Sequence, residues 1–217
     1  MADDKSRAGH GHAHDAAEHA QSEYSVRAKA LVSVLTKKNL VNPATMDAVV
    51  EFYETRVGPH IGAQLVARSW VDREFRARLL ADARAVAREE EITGLQGTDL
   101  VAVANTPDVH NLVVCTLCSC YPWSVLGLPP TWYKDSGYRS RAVIDPRGVL
   151  REFGLALGDD VEVRVWDSTA EIRYLVIPER PPGTEAMSQE ELARLVTRDS
   201  MVGAEKLRAP GQPERQR

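Results

Sequence analysis

The three cysteines of this 217-residue chain lie within six consecutive residues, and their spacing constrains the fold more than any other feature of the sequence. They are Cys115, Cys118 and Cys120. Disulfides join cysteines whose Cα atoms are about 5.5 Å apart and stabilise a protein by closing longer loops, so cysteines this close would form only small, strained rings. An odd, clustered set of cysteines instead indicates metal binding or redox chemistry.

The charge and hydropathy of the chain argue against several classes of partner. Lys and Arg total 27 and Asp and Glu total 31, so the net charge of −4 gives no general attraction to a nucleic-acid backbone or an anionic membrane. No apolar run reaches the roughly 18 residues that a membrane-spanning helix needs. We therefore expect a globular, cytoplasmic protein with neither nucleic acid nor membrane as a partner.

The N-terminal tail is predicted to be disordered. Residues 1–22 hold four of the six histidines among Ala, Gly, Asp and Glu, without a periodic apolar face. The alternating histidines would bind a divalent ion only loosely. We assign no site to this tail.

Residues 23–93 show the spacing of apolar side chains that is typical of helices. After a first helix, Asn42 supplies the N-cap of a second, which ends at Gly58 and Pro59. A short segment then leads to Asp72, which can cap a third helix. This region carries no reactive set of side chains, and we interpret it as a helical arm for packing or partner docking.

Residues 94–207 change to a mixed pattern of strands and helices. Two β-rich runs, 100–104 and 109–114, precede the cysteines, which therefore follow the end of a strand. Two further alternating runs, 161–165 and 172–176, are separated by a few residues that suit a hairpin loop.

Two helices and a second tail complete the domain prediction. Asp145 and Pro146 open one helix, and Ser188 begins a capping box for another. Residues 208–217 are predicted to be a disordered tail. The fold class predicted from these patterns is α+β.

The chemistry of the residues leaves two kinds of metal site open. A structural zinc site needs four N or S ligands, usually in two separated pairs, whereas this chain has one triplet. His110 could be a fourth ligand only if the strand reversed, because an extended strand places it about 16 Å from Cys115.

The alternative is a chelate in which the loop wraps one ion. The sulfurs of Cys118 and Cys120, with the backbone nitrogens of Ser119 and Cys120, would form a plane. Cys115 would then be an axial thiolate, and the opposite position would stay open, as a catalytic metal requires. Amide and thiolate ligands together favour trivalent cobalt or iron over zinc, and such thiolates can be oxidised to sulfenate or sulfinate.

Seven segments of the chain between Val114 and Met201 form a recognisable signature, and the resemblance that they carry covers roughly residues 24–205. In sequence and spacing they resemble the metal claw and its surroundings in the nitrile hydratase α subunit. This resemblance implies a helical arm followed by a layered α/β/β/α globular domain that carries the claw. The segments are Val114–Trp123, Val125–Pro130, Trp132–Lys134, Tyr138–Arg141, Pro146–Leu150, Val163–Ser168 and Val196–Met201.

The resemblance also implies the state of the ligands. Cys115 would be the unmodified axial thiolate, Cys118 a sulfinic acid and Cys120 a sulfenic acid. The backbone nitrogens of Ser119 and Cys120 would complete the protein ligands of one low-spin trivalent ion.

Three further positions bear on the metal and the pocket. Thr116 and Tyr121 resemble the cobalt branch of the family, so we expect cobalt, with iron as the second choice. Gln96 aligns with a glutamine that lines the family's active site. Ser124 departs from the proline that the family usually has there, and we expect no effect of this change.

The function implied by the resemblance is that of the α subunit of a non-corrin cobalt(III) nitrile hydratase, which converts a nitrile to an amide. Either the ion polarises the nitrile, or the sulfenate oxygen of Cys120 attacks its carbon. The implied partners are a β subunit, in an αβ heterodimer, and an activator or metallochaperone protein. Two alternatives stay open: the metal-bearing γ subunit of thiocyanate hydrolase, which resembles the chain in the same motif, and a non-enzymatic zinc-binding module.

Overall fold

The computed structural model describes residues 25–92, 99–118, 120–208 and 211. These residues divide between two compact units, one ending at Glu51 and the other beginning at Phe52. The predicted N-terminal tail, Gln96, Ser119 and most of the predicted C-terminal tail lie outside the described residues. The domain boundaries predicted near residues 22, 93 and 207 stay predictions.

Groups of helices are separated by two pairs of short strands along the described chain, and the predicted α+β class is confirmed. No helix of the described residues has the length and apolar character that crossing a membrane would require. The elements are α1 (residues 25–37), α2 (Pro43–Thr55), α3 (Pro59–Val71), α4 (Arg73–Ala81), α5 (Ala83–Glu89), β1 (Asp99–Ala104), β2 (Val109–Val114), α6 (Trp123–Leu126), α7 (Thr131–Lys134), α8 (Ser136–Ile144), α9 (Pro146–Glu152), β3 (Glu162–Asp167), β4 (Ile172–Ile177), α10 (Gln189–Leu195) and a 3₁₀ helix (Ser200–Val202).

Several predicted helix starts are confirmed by their capping hydrogen bonds. The Asn42 side chain accepts a hydrogen bond from the backbone N–H of Ala44 at 2.9 Å, and α2 begins between them. Asp145 caps α9, and Ser188 forms the predicted capping box with Glu191 at the start of α10. These signals are local, which is why they can be read from sequence.

The segment after Gly58 is a helix, and its prediction as a short connection is wrong. Pro59 stands at the first position of α3, where its missing N–H costs nothing and its fixed φ favours the helix. Gly62 lets this helix pack closely, because a Cβ there would lie 2.8 Å from the sulfur of Met201 and 2.9 Å from a methyl carbon of Leu126. Helix α3 packs against α6 and α10 and forms part of the core.

The predicted third helix is divided into α4 and α5. Asp72 caps α4 through the N–H of Phe75 at 2.8 Å, as expected. Asp82 then accepts from the N–H of Ala85 at 2.9 Å and begins a new helix. The aspartate side chain replaces a backbone acceptor at this point, so the chain changes direction there.

The predicted hairpin of the last two strands is wrong. Strand β3 pairs in parallel with β2, and β4 pairs in parallel with β1, so the two strands belong to different two-stranded sheets. Alternating side chains identify a strand but not its neighbour, and the ladder of each strand is completed by a partner distant in sequence. Between them, the Thr169 hydroxyl accepts from the N–H groups of Glu171 and Ile172 at 3.2 and 3.1 Å and turns the chain.

The parallel pair β2–β3 places the cysteines. Val113 and Val114 are fully buried at the end of β2, and Val114 is opposite Asp167, the last residue of β3. Because parallel strands end at the same edge of a sheet, the residues that follow β2 and β3 meet there. The cysteines lie in the loop between β2 and α6, as the sequence predicts.

A buried polar network lies at the beginning of β2, away from the cysteines at its end. His110 is 3% exposed, and its Nε2 donates to the carbonyl oxygen of Gly203 at 2.7 Å, which leaves Nδ1 to accept from the Asn105 amide at 3.3 Å. The Asn105 oxygen accepts from the N–H of Asn111 at 2.8 Å. Every ring nitrogen of neutral His110 is satisfied, so this residue is a structural core histidine and not a ligand of the cysteines.

We expect the stability of the metal-free protein to fall below neutral pH because of His110. Burial lowers the pKa of His110 below its ordinary value of 6.5; the Gly203 carbonyl opposes this shift, and the charges of Lys206 and Glu179 act in opposite directions. The unfolded chain therefore binds more protons than the folded one between the folded pKa and 6.5, and the free energy of unfolding decreases as the pH falls through that interval. Urea unfolding at about pH 7.5 and about pH 5.5 measures the decrease.

His110→Gln is the matched control for this measurement, because glutamine does not titrate. The decrease in the free energy of unfolding between the two pH values should be smaller in the variant than in the wild type. An equal decrease in both proteins would contradict the assignment of the pH dependence to His110.

Candidate metal centre

Three sulfur atoms meet in the loop that follows β2. The Sγ atoms of Cys115 and Cys118 are 3.5 Å apart, and those of Cys118 and Cys120 are 3.1 Å apart. All three lie within 4.8 Å of one another, and none of these cysteines forms a disulfide. A single ion can therefore contact the three sulfurs at once.

The sulfur separations also bear on the coordination geometry. Two sulfurs at about 2.3 Å from one ion would be about 3.3 Å apart at a right angle and about 3.8 Å apart at the tetrahedral angle. The separation of 3.1 Å between Cys118 and Cys120 lies nearer the right-angle value, and that of 3.5 Å between Cys115 and Cys118 lies between the two values. The sulfurs of Cys118 and Cys120 are therefore spaced as neighbouring ligands of one octahedral or square-planar ion.

The cysteines differ in their exposure to solvent. Cys115 is buried at the end of β2, Cys120 is partly buried, and Cys118 is exposed. The backbone N–H of Cys118 donates to the Cys115 sulfur at 3.3 Å. An oxidant or an ion from solvent therefore meets Cys118 most readily, whereas Cys115 is enclosed by the fold.

Hydrogen bonds from outside the loop hold both of its ends. The Tyr138 hydroxyl donates to the carbonyl oxygen of Val113 at 2.6 Å, and the Tyr133 hydroxyl donates to that of Cys120 at 2.9 Å. The backbone N–H of Ser168 extends the strand ladder to Val114 at 2.7 Å. These hydrogen bonds go to backbone carbonyl oxygens, so they hold the loop without occupying any of the three sulfurs.

The sequence pattern indicates no role for these two tyrosines, although both lie in segments that carry the family resemblance. Their hydroxyl groups reach carbonyls that are 13 and 25 residues away in sequence, so no local periodicity indicates the contacts. Burial raises the pKa of both Tyr133 and Tyr138 far above the ordinary tyrosine value, and the hydroxyls remain neutral donors at physiological pH.

The electrostatics of the loop favour a bound cation. Burial, followed by hydrogen bonds from Cys118 and Cys115, raises the pKa of the Cys120 thiol to about 12, and the charge of nearby Arg173 opposes this rise only in part. Three adjacent thiols cannot all ionise without a compensating positive charge. A cation that bonds to all three sulfurs supplies that charge, which is how metal binding displaces protons from cysteine.

Thr116, directly after Cys115, is also held by groups from elsewhere in the fold. Both carboxylate oxygens of Asp167 accept hydrogen bonds from Thr116, one from its backbone N–H at 2.9 Å and the other from its hydroxyl at 2.6 Å. The Arg139 guanidinium donates to the Thr116 carbonyl oxygen at 3.2 Å.

Only some of the remaining predicted site residues lie in the described part of the chain. Among the described residues, the cluster of metal-capable side chains consists of the three cysteines alone, so the alternative of a four-ligand zinc site lacks a fourth ligand there. Gln96 and Ser119 lie outside the described residues, and their roles stay predictions. Trp123, the last residue of the segment that contains the three cysteines, begins α6 and packs its ring edge against Tyr53 at a centroid distance of 5.4 Å.

Comparison with known proteins identifies what the chain is similar to. The family described as "Nitrile hydratase, alpha chain" matches residues 22–205. The low-molecular weight cobalt-containing nitrile hydratase subunit alpha of Rhodococcus rhodochrous is 56% identical over 181 residues, which cover 83% of this chain and 87% of the relative. The thiocyanate hydrolase subunit gamma of Thiobacillus thioparus is 36% identical and covers 84% of this chain and 79% of its own length.

A solved structure shows the same fold. A double mutant of the Fe-type nitrile hydratase from Comamonas testosteroni superposes with a TM-score of 0.81 at 36% identity, over 90% of this chain and 96% of that one. The shared fold therefore extends over nine-tenths of this chain.

Proposed function

This chain belongs to the nitrile hydratase α-chain family, and from that premise we propose that it is the α subunit of a cobalt(III) nitrile hydratase that hydrates a nitrile to its amide. The observation that carries the proposal is the meeting of three cysteine sulfurs at the carboxyl end of the β2–β3 pair, with separations of 3.1 and 3.5 Å.

The proposed ligands are the sulfurs of Cys115, Cys118 and Cys120 with the backbone nitrogens of Ser119 and Cys120. Thiolates and deprotonated amides are donors that suit trivalent cobalt or iron. Relatives that are 56% and 51% identical to the chain are named as cobalt-containing, which supports cobalt. The solved Fe-type relative is more distant, at 36% identity.

We further propose that Cys118 carries a sulfinic acid and Cys120 a sulfenic acid in the active protein. The exposure of Cys118 supports this, because an oxidant can reach its sulfur directly. Cys115 is buried, which agrees with its proposed role as the unmodified axial thiolate.

The three cysteines would hold the ion, which would supply Lewis acidity to a nitrile. The chain's own residues hold the geometry for this reaction. The Tyr133 hydroxyl binds the Cys120 carbonyl oxygen at 2.9 Å and so fixes the backbone that presents the Cys120 sulfur. The Cys120 sulfenate oxygen is the proposed internal nucleophile, and Gln96 is proposed to line the pocket.

A β subunit is the partner that an α chain of this family implies. Leu117, at the tip of the cysteine loop, has 86% of its surface exposed, which supports a partner covering this face. Arginines of such a partner could form charge-assisted hydrogen bonds with oxidised sulfurs. An activator or metallochaperone that delivers cobalt is a further proposed partner.

The second candidate is thiocyanate hydrolysis, because a γ subunit of that enzyme shares 36% of aligned residues with the chain. Four nitrile hydratase α subunits are 51–56% identical to the chain. This higher identity favours nitriles over thiocyanate as the substrate. The cysteine loop alone does not separate the two reactions.

We expect the chain, co-expressed with its β partner and loaded with cobalt, to hydrate a small aliphatic nitrile at least about a hundredfold faster than it hydrolyses thiocyanate, a preference of about 2.7 kcal/mol at the transition state. Amide formation and ammonia release measure the two rates on one preparation. Faster release of ammonia from thiocyanate would contradict the proposal and support the second candidate.

A pair of substitutions at Ser119 tests the proposed backbone ligand. Ser119→Ala keeps the backbone nitrogen and should retain cobalt, whereas Ser119→Pro has no N–H to deprotonate and should lose it. Cobalt per chain, measured after dialysis of the co-expressed complex, reads the difference. Equal retention in both variants would exclude this nitrogen as a ligand.

A further inference from the structure

Thr116 is the second residue of the cysteine loop, and side chains of two distant elements hold it. Asp167 at the end of β3 accepts hydrogen bonds from the Thr116 N–H and hydroxyl, and Arg139 of α8 donates to the Thr116 carbonyl oxygen. These residues are 51 and 23 positions away in sequence. The N–H, the carbonyl and the side chain of one residue are therefore all engaged at once.

The strand register explains why Asp167 reaches Thr116. Val114 is opposite Asp167 in the parallel β2–β3 ladder, and the Ser168 N–H continues that ladder to the Val114 carbonyl at 2.7 Å. The Asp167 side chain therefore lies beside the point where β2 ends. Arg139 is itself positioned, because its Nε donates to the Lys134 carbonyl oxygen at 3.2 Å.

Holding Thr116 also orients the neighbouring sulfur. The peptide between Cys115 and Thr116 is planar, so fixing the Thr116 N–H restricts the backbone rotation of Cys115. The Cys115 sulfur in turn accepts from the Cys118 N–H at 3.3 Å and lies 3.5 Å from the Cys118 sulfur. A loop without the contacts to Thr116 could open and separate the sulfurs.

We propose that Asp167 is a positioning residue of the metal centre, which acts through Thr116 to hold the cysteine loop in its metal-binding shape. This inference rests on the proposed function of the loop as a cobalt site. Asp167 does not touch the sulfurs; its two hydrogen bonds restrict the conformations of the loop, so that metal binding requires less ordering of the chain.

The test measures cobalt release from the co-expressed αβ complex during dialysis against a strong chelator. Asp167→Ala removes both acceptors and should release cobalt about tenfold faster than the wild type, the size expected for losing hydrogen bonds to a charged group. Asp167→Asn keeps one acceptor for the Thr116 N–H, so its rate of cobalt release should lie between those of the wild type and Asp167→Ala.

Glu162→Ala is the matched control. Glu162 is an exposed carboxylate on the same strand, paired with Arg164 rather than with the cysteine loop. The Glu162→Ala variant loses the same charge as Asp167→Ala but no contact to the cysteine loop. Its rate of cobalt release should therefore equal that of the wild type. Equal acceleration in Glu162→Ala and Asp167→Ala would show a general effect of charge and overturn the proposal.

A double substitution tests whether Asp167 acts through Thr116. Thr116→Val keeps the backbone N–H and the shape of the side chain but removes its hydroxyl. It should therefore accelerate cobalt release less than Asp167→Ala does. The combined variant should release cobalt no faster than Asp167→Ala alone, because the same contact is removed twice. Multiplied effects of the two substitutions would overturn the proposed route.

Two outcomes separate this inference from the proposed function. If the wild-type complex retains no cobalt, both proposals fail. If the wild type retains cobalt and Asp167→Ala, Asp167→Asn and Thr116→Val retain it equally well, only the role of Asp167 fails. Should Asp167→Ala not fold, as judged by circular dichroism, the other two variants decide the test.

Discussion

The structure depends on holding three thiol sulfurs within 4.8 Å of one another in a six-residue loop. The partly buried thiol of Cys120 is difficult to ionise beside the other two, as its pKa of about 12 indicates. The contacts that hold the loop come from outside it, and they include hydroxyl groups of two tyrosines and a carboxylate on β3. A cation then converts an unfavourable cluster of thiols into a set of ligands.

The pairing of the strands and the packing of the helices position the cysteine loop. The parallel pairing of β2 with β3 brings the residues after both strands to one edge, where Ser168 and Asp167 meet the beginning of the loop. Helix α3 and the 3₁₀ helix pack around this core, and close contacts at Gly62 leave no room for a larger residue. Because the loop is supported on rigid elements, its sulfurs can be positioned before any ion arrives.

The sequence was sufficient for the local features and for the grouping of three cysteines in one loop after a strand. Caps at Asn42, Asp72 and Ser188 and the strand that leads into Cys115 depend on neighbouring residues, and they were predicted correctly. Strand pairing and the contacts of Tyr133 join residues far apart in the chain, and alternation or composition does not encode the partner. For the same reason, the role of Asp167 could be inferred only after β3 was placed beside β2.

Cobalt X-ray absorption on the co-expressed αβ complex tests the central claim most directly, because it reads the atoms bound to the ion. The account predicts a first shell of about three sulfurs and about two nitrogens with one further light atom, as expected for an octahedral ion in a thiolate and amide site. A four-coordinate shell, closed by protein side chains and without backbone nitrogen, would contradict it.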